Sequence, residues 1–267
     1  MIKEAIIPLA GLGTRLLPFS KVIPKELLPL GNTTILEVIL KECFEAGIKK
    51  IILVISNRKK IITNYFSTDK YLENNLKKKN SSLLKSIRHL RYYKKKITYV
   101  YQNSPKGLGD ALYSCRNKIK GNFFLLVLPD DIIKSNNCSK DIIAINKKYH
   151  CSVIASKKVK KSELSRYGIF KVSSKNKNLF NIQKVVEKPK VYRELSNFAI
   201  IGRYILNKNI FTAIKNIKFG TGGEKQLTDA INFLLIKNEK FKGYIFKGKY
   251  LDCGTMSGYL NSLKYNL

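Results

Sequence analysis

Short apolar runs alternate along the chain with segments whose apolar positions recur at helical spacing. Residues 3–9 and 50–55 form such runs, and continuous apolar strands are typical of a parallel sheet that is covered on both faces. In the intervening residues 35–44, apolar positions recur every three or four residues, and Thr34 and Glu37 have the spacing of a capping box at the start of a helix. Strand, helix and strand in this order predict a βαβ unit.

The same alternation continues to the end of the chain, and no linker divides it. We therefore expect one α/β domain over residues 1–267. A basic stretch at about 69–96 interrupts the alternation, and its leucine spacing favours a helical insertion packed on the body. Further strands are predicted at 97–101, 123–128, 152–155, 169–172, 182–187, 198–205 and 243–250. Further helices are predicted from about 110, over 141–149, 209–217 and 227–237, and near the C-terminus.

The charge of the chain is strongly positive, at a formal +33 from 51 Lys and Arg against 18 Asp and Glu. Only 8 of these cations are Arg, and the five residue types with A/T-rich codons (Lys, Ile, Asn, Tyr and Phe) account for 126 of the 267 residues. One interpretation is a base-composition bias in the source genome that has placed Lys on solvated faces. The other is a surface that binds a polyanion, and Lys gathered in one contiguous stripe would favour it.

Several classes of protein are excluded by the composition. No apolar run approaches the roughly 20 residues that span a bilayer, and the first residues lack the pattern of a signal peptide. The five cysteines are odd in number and include no CxxC pair, which argues against a disulfide framework or a zinc site. With only two histidines, a His-based triad is not expected. We expect a cytoplasmic protein with no membrane partner.

The loop after the first strand holds the clearest candidate for phosphate binding. Gly11 and Gly13 begin a dinucleotide fingerprint, but Leu16 stands where the third glycine is needed. A second glycine motif, at 243–249, matches a P-loop only in part, because Tyr250 follows where Ser or Thr is required. What remains is a long loop rich in glycine and proline. Its small residues allow backbone N–H groups to approach phosphate closely, and its cations Arg15, Lys21 and Lys25 can neutralise the charge.

These loop residues also carry a resemblance that extends over most of the chain. The segments AGLGTR (10–15) and PKELLP (24–29) resemble the signature of sugar-1-phosphate nucleotidylyltransferases, and more specifically that of the bacterial UTP–glucose-1-phosphate uridylyltransferases. Further segments agree in order and spacing: KGLGDA (106–111), LPD (128–130), YG (167–168), VEKP (186–189), SNFAIIGRY (196–204), GEKQLTDA (223–230) and DCG (252–254). The resemblance covers residues 3 to about 260.

The resemblance implies a fold and a reaction. The expected fold is a Rossmann-like α/β nucleotidyltransferase fold, with a mostly parallel mixed central sheet flanked by helices and a smaller β-rich sugar-binding part. Residues 1–150 would be the nucleotide-binding half and residues 151–267 the sugar-phosphate-binding half. The expected reaction transfers the uridylyl group of UTP to glucose 1-phosphate, giving UDP-glucose and pyrophosphate. The cofactor would be Mg²⁺, which proteins usually hold through one or two carboxylates together with phosphate oxygens.

The resemblance also implies roles for individual residues. Asp130 and Asp252 would be the metal ligands. Arg15 and Lys25 would hold the β- and γ-phosphates, and Lys188 would hold the phosphate of glucose 1-phosphate. The nucleotide would be bound by Leu9, Ala10, Gly11, Gly13, Glu26, Gln102 and Gly107, with Gln102 and Gly107 at the uracil edge. The sugar would meet Gly168, Glu187, Gly202 and Glu224.

Three questions stay open at the level of the sequence. The enzyme could use thymidine instead of uridine nucleotides, or another sugar 1-phosphate. A polyanion-binding protein on an α/β scaffold is the alternative from a different class, although no specific nucleic-acid partner is expected. The family commonly forms dimers or tetramers, so a homo-oligomer is a further expectation.

Overall fold

The fold was analysed in a computed structural model, which describes residues 1–79, 81–104 and 106–265. Asn80, in the predicted insertion 69–96, lies outside the described residues. So do Pro105, in the loop before the helix predicted from about 110, and residues 266 and 267 of the predicted domain. The strands are β1 (Glu4–Pro8), β2 (Pro29–Leu30), β3 (Thr33–Thr34), β4 (Lys50–Ile55), β5 (Ile97–Tyr101), β6 (Phe123–Val127), β7 (Asp131–Lys134), β8 (Ser152–Lys158), β9 (Gly168–Asn176), β10 (Leu179–Glu187), β11 (Phe198–Asn207), β12 (Phe241–Ile245) and β13 (Lys249–Asp252). The α-helices are α1 (Ile35–Glu45), α2 (Ile61–Tyr65), α3 (Lys70–Lys79), α4 (Lys85–Lys96), α5 (Gly107–Ser114), α6 (Cys138–Tyr149), α7 (Asn209–Asn216), α8 (Leu227–Ile236) and α9 (Met256–Ser262).

Within the described ranges, nine strands form one sheet in the order β5-β4-β1-β6-β11-β8-β12-β10-β9. The strands β5, β4, β1 and β6 are parallel to one another, as are β8 and β12. Strand β11 runs antiparallel to β6 and β8, and β10 runs antiparallel to β12 and β9. Strands from both halves of the chain therefore share one mixed α/β sheet, which confirms the fold class predicted from the sequence.

Helices cover both faces of this sheet, and the residues of β1 show why its sequence is apolar throughout. Ala5 and Ile7 pack in the hydrophobic cluster that contains α1 and α6. Ile6 points to the opposite face, into the cluster formed with α5, α7 and α8. All three side chains are fully buried. An amphipathic strand would leave one of these clusters with polar groups that lack partners.

The predicted basic insertion is helical and is anchored to the body by aromatic side chains. In α4, Tyr93 stacks on Phe44 of α1, with ring centroids 5.5 Å apart. His89 of α4 contacts the carboxylate of Glu37, and Arg91 pairs with Glu73 of α3. The lysines in the last turn of α3 are exposed. These contacts confirm a packed helical segment, whereas binding of a polyanion by its exposed lysines stays a prediction.

The predicted strand over 243–250 was wrong, because the chain turns in the middle of it. Gly248 adopts φ 134°, and the chain divides there into β12 and β13. Strand β12 stays in the main sheet, but β13 leaves it and pairs with β7 in a separate two-stranded ladder. The sequence showed neither the turn nor β7, since four-residue strands carry little periodic signal.

A buried ion pair joins α1 to the centre of the sheet. Arg203 of β11 is fully buried, and its Nη2 and Nε atoms donate to the Glu42 carboxylate over 2.8 and 3.0 Å. Ser139 also donates to this carboxylate. Burial by itself would raise the pKa of Glu42, but Arg203 and Ser139 hold it below its ordinary value.

We expect Glu42→Gln to lower the free energy of unfolding by about 3 kcal/mol at neutral pH, because the buried guanidinium loses its counter-charge. A carboxyl whose pKa is depressed in the folded state stabilises above its unfolded pKa of about 4.3, and this contribution is lost as the pH falls through the folded value. The difference between wild type and variant in urea unfolding should therefore shrink below about pH 4. A difference that is the same at pH 3 and pH 7 would contradict the electrostatic explanation.

No helix in the described part of the chain is long and apolar enough to cross a membrane. The cytoplasmic location and the homo-oligomer stay predictions.

Candidate active site

A cavity of about 940 Å³ opens at the carboxyl ends of β1 and β6. This is the edge at which open α/β sheets bind ligands. The structure brings eleven of the sequence-predicted site residues to its walls: Gly11, Gly13, Arg15, Lys25, Asp130, Gly168, Glu187, Lys188, Gly202, Glu224 and Asp252. They come from eight separate segments of the chain, so their convergence depends on the tertiary fold.

The loop after β1 forms one wall of the cavity and is held in shape by its own hydrogen bonds. Gly13 adopts φ 72°, a left-handed conformation that favours glycine, and precedes a short 3₁₀ helix at Thr14–Leu16. Ser20 Oγ donates to the carbonyl of Gly13 over 2.7 Å. Arg15 extends from this turn with most of its side chain exposed, and its Nη2 lies 3.7 Å from Asp130 Oδ2. The loop thus presents an exposed cation beside a largely buried carboxylate.

Lys25 and Asp130 form the central ion pair of the cavity. Lys25 Nζ donates to Asp130 Oδ2 over 2.7 Å. Burial would raise the pKa of Asp130, but the charge and hydrogen bond of Lys25 hold it below its ordinary value. Burial would likewise lower the pKa of Lys25, and Asp130 with the neighbouring Glu26 holds it above its ordinary value. Both groups are therefore charged at neutral pH.

The ladder between β7 and β13 brings Asp252 to Asp130. Asp252 pairs with Asp131 at the end of this ladder, and the N–H of Cys253 donates to the carbonyl of Asp130 over 2.8 Å. Gly254 lies between the two carboxylates. A Cβ atom at Gly254 would come within 2.8 Å of Asp130 Oδ2 and 3.1 Å of Asp252 Oδ1. The absence of a side chain at this position keeps the space between the carboxylates open.

The donor set fits a magnesium ion that is completed by substrate. Two carboxylates, Asp130 and Asp252, face the same space, and Mg²⁺ is commonly held by one or two carboxylates with phosphate oxygens and waters. Among the described residues there is no group of three or more His, Cys, Asp or Glu side chains that could hold an ion unaided.

The carboxylates of the cavity, five in number, also outnumber its four cations although the chain carries +33 overall. The excess Lys thus lies outside the cavity.

Asp131 lies next to these carboxylates, but its oxygens are already engaged. Oδ2 accepts from the N–H of Gly202 over 2.8 Å, and Oδ1 accepts from the Tyr250 hydroxyl over 2.5 Å. Burial and the adjacent charge of Asp130 raise the pKa of Asp131 to about 6. A Cβ atom at Gly202 would lie 2.4 Å from Asp131 Oδ2, so only glycine permits this hydrogen bond. Asp131 therefore holds β11 against the end of β6.

The opposite wall comes from β9 and β10. Glu187 at the end of β10 pairs with Gly168 at the start of β9. Lys188 follows with φ 43°, and its side chain is 67% exposed, with Nζ 3.9 Å from Glu187 Oε1. Burial raises the pKa of Glu187. The wall therefore presents an exposed ammonium group next to a carboxylate that can accept hydrogen bonds from hydroxyl groups.

Five predicted residues do not line the cavity. Leu9 and Ala10 are buried behind the loop. Gln102 donates to Asp110 Oδ2 over 2.7 Å and to the carbonyl of Gly107 over 3.3 Å, and Gly107 packs against Glu224. The fifth residue is Glu26, whose carboxylate faces the interior, where it is bound by Lys59. The carboxylate of Glu26 thus lies behind the cavity wall, and binding of the nucleotide by Glu26 stays a prediction.

Arg166 is a residue of the cavity that the sequence interpretation missed. It follows β8 in a 3₁₀ helix at Lys161–Arg166, and its Nη2 lies 3.5 Å from Asp252 Oδ2. Its guanidinium also lies 5.8 Å from the ring centroid of Tyr167. The signal was present, since Arg166 is one of only eight arginines and directly precedes a motif at Tyr167 and Gly168. Tyr204, Tyr250 and Thr255 are further lining residues that were missed.

The chain belongs to the nucleotidyl transferase family, whose family model matches residues 4–266. It is similar to the UTP–glucose-1-phosphate uridylyltransferase of Mycoplasma genitalium, with 37% identity over 268 residues that cover 98% of this chain and 90% of the relative. The enzyme of the same name from Mycoplasma pneumoniae is also 37% identical, over 99% of this chain and 92% of the relative.

Solved structures show the same relationship. A UTP-bound UGPase from Acinetobacter baumannii superposes with a TM-score of 0.90 at 34% identity, covering 99% of this chain and 93% of that one. A UDP-glucose pyrophosphorylase complexed with UDP-glucose gives a TM-score of 0.86 at 35% identity, covering 99% and 98% of the two chains.

Proposed function

We propose that this chain is an enzyme that transfers the uridylyl group of UTP to glucose 1-phosphate and releases pyrophosphate. The observation that carries the proposal is the convergence of Lys25, Asp130, Asp252 and Lys188 on one cavity, since these residues supply both cations for phosphate and carboxylates for a metal. The names of the full-length relatives support the same reaction. The chain acts as one domain, with the nucleotide held by residues 1–150 and the sugar phosphate by residues 151–267.

The reaction needs no general base. A phosphate monoester is largely ionised at neutral pH, because its second pKa is about 6. Its oxygen attacks the α-phosphorus of UTP, the new P–O bond forms as the bond to the β-phosphate oxygen breaks, and pyrophosphate leaves with the electron pair. Neither His89 nor His150 lines the cavity, in keeping with a reaction that depends on position and charge.

Each wall of the cavity has its own task in this proposal. Lys188 binds the phosphate of glucose 1-phosphate, while Gly168, Glu187, Gly202 and Glu224 meet the sugar. Arg15 and Lys25 bind the β- and γ-phosphates and stabilise the leaving pyrophosphate. Gly11 and Gly13 approach the nucleotide through their backbone. Five further residues predicted at the nucleotide lie outside the cavity lining, and their contact with it, including that of Gln102 and Gly107 with the uracil edge, stays a prediction: Leu9, Ala10, Glu26, Gln102 and Gly107.

Asp130 and Asp252 would hold Mg²⁺, which, when bound, neutralises charge on the phosphate oxygens of the transition state. Lys25, which pairs with Asp130, and Arg166, whose Nη2 lies 3.5 Å from Asp252, would then be the cations available to substrate phosphate.

The direct test is pyrophosphate release from a panel of nucleoside triphosphates and sugar 1-phosphates. We expect UTP with glucose 1-phosphate to be the best pair and to require Mg²⁺, so that removal of divalent ions with EDTA abolishes turnover and added Mg²⁺ restores it. A preference for TTP would identify the enzyme as a thymidylyltransferase instead. Binding that falls steeply with salt and ignores Mg²⁺–UTP, without turnover, would instead indicate a polyanion-binding protein.

A further inference from the structure

A second buried ion pair lies directly behind Lys25. Lys59 Nζ donates to both oxygens of Glu26, over 3.0 and 2.9 Å. The side chains of Lys59 and Glu26 are only 9% and 1% exposed. Both charges are therefore removed from water, and neither group lines the cavity. The burial of two charges costs desolvation free energy. A buried ion pair is therefore weak evidence that its only role is to stabilise the fold.

One short turn joins the ion pair of Lys59 and Glu26 to that of Lys25 and Asp130. Lys25 and Glu26 are consecutive residues of a 3₁₀ helix at Lys25–Leu27. Lys25 reaches towards the cavity and Asp130, whereas Glu26 turns inwards to Lys59, which lies in a separate 3₁₀ helix after β4. Charges thus alternate from the interior to the cavity in the order Lys59, Glu26, Lys25 and Asp130.

The order of charges has a consequence for Lys25. A carboxylate that is buried without a partner must either take up a proton or find another cation. The ammonium group next in line to Glu26 is that of Lys25, which already feels the charge of Glu26. Without Lys59, Glu26 would compete with Asp130 and with substrate phosphate for the Lys25 ammonium.

We propose that Lys59 is a positioning residue, which satisfies Glu26 in the interior and so leaves the Lys25 ammonium directed into the cavity. The inference rests on the proposed function of the cavity and adds to it a residue that never touches substrate. It also gives the buried charged pair a role other than stabilising the fold.

The test compares Lys59→Met with the double variant Lys59→Met/Glu26→Gln. We expect Lys59→Met to lower kcat about 100-fold, because small displacements of a catalytic group have effects of this size. It should also weaken the binding of inorganic pyrophosphate, measured by calorimetry. The double variant removes both buried charges, and its kcat should be at least about 10-fold higher than that of Lys59→Met. Lys59→Arg, which keeps the pair, should stay within about 5-fold of wild type.

Lys60→Met is the matched control, since Lys60 is the next residue in the chain and is exposed. It should leave kcat and pyrophosphate binding unchanged. A double variant that is folded and as impaired as Lys59→Met would overturn the proposal, and so would a folded Lys59→Met with normal kcat and pyrophosphate binding. If Lys59→Met does not fold, the double variant and Lys59→Arg decide the question by the same criteria.

The pyrophosphate titration keeps this test separate from that of the proposed function. If the wild type releases no pyrophosphate from UTP and glucose 1-phosphate, the proposed reaction fails. The calorimetric comparison then still shows whether Lys59 controls the availability of Lys25 to an anionic ligand.

Discussion

Replacing Asp130 with asparagine is expected to lower kcat/KM about 1,000-fold while the protein stays folded. The substitution keeps the shape of the side chain but removes a proposed metal ligand and the counter-charge of Lys25, which lies 2.7 Å away. Losses of about 10² to 10³ are typical when one preorganised electrostatic contact to a transition state is removed. The measurement is pyrophosphate release at several Mg²⁺ concentrations, together with thermal unfolding.

The Mg²⁺ dependence distinguishes a ligand from a residue that only packs. The loss of a ligand should shift half-saturation by Mg²⁺ to higher concentration, whereas a packing defect should lower the melting temperature without changing the metal requirement. Glu45→Gln is a suitable control, because Glu45 is an exposed carboxylate on α1, outside the cavity. Turnover of Asp130→Asn within a few-fold of wild type would refute its assignment as a metal ligand.

Lys188→Ala is expected to lower kcat/KM by roughly 100- to 1,000-fold, because its ammonium group is proposed to hold the attacking phosphate. The stability of the variant should change by less than about 0.5 kcal/mol, since the side chain is 67% exposed and its ion pair with Glu187 is a loose one. Kinetics in glucose 1-phosphate and urea unfolding measure the two quantities separately.

Lys190→Ala provides the control within the same loop. Lys190 is also exposed and lies two residues further on, but it does not line the cavity. Its removal should leave kcat/KM unchanged although it lowers the net charge by the same amount. If the two variants lost activity equally, the effect would come from the general positive potential of the chain, and the specific role of Lys188 would be wrong.

The main strands of the sheet could be predicted because burial on both faces leaves a clear mark on the sequence. The predicted boundaries of β4 and β5 agree with the structure. Short elements left no such mark. Strand β7 has only four residues and begins directly after the motif that supplies Asp130, and β13 was merged with β12. These two short strands form the ladder that places Asp252 beside Asp130.

The motifs predicted which residues lie at the cavity, but they did not predict the direction of each side chain. Glu26 shares a motif with Lys25, yet the turn directs the two side chains to opposite sides of the wall. Arg166 had no recognised motif of its own, and its place opposite Asp252 follows from the path of the chain between β8 and β9. A motif identifies which residues are needed, but side-chain direction depends on partners that are distant in the sequence.

The sequence by itself determined the α/β architecture, through strands apolar enough to be covered on both faces, and the family, through motifs in order along the chain. It also predicted that the phosphate-binding groups are a few cations in those motifs among many lysines. Only the tertiary structure decided which charges are paired. Lys25 with Asp130, Lys59 with Glu26 and Arg203 with Glu42 are separated by 105, 33 and 161 positions in the chain. Electrostatic energy depends on distance in space and on burial, and neither quantity is encoded in the local sequence.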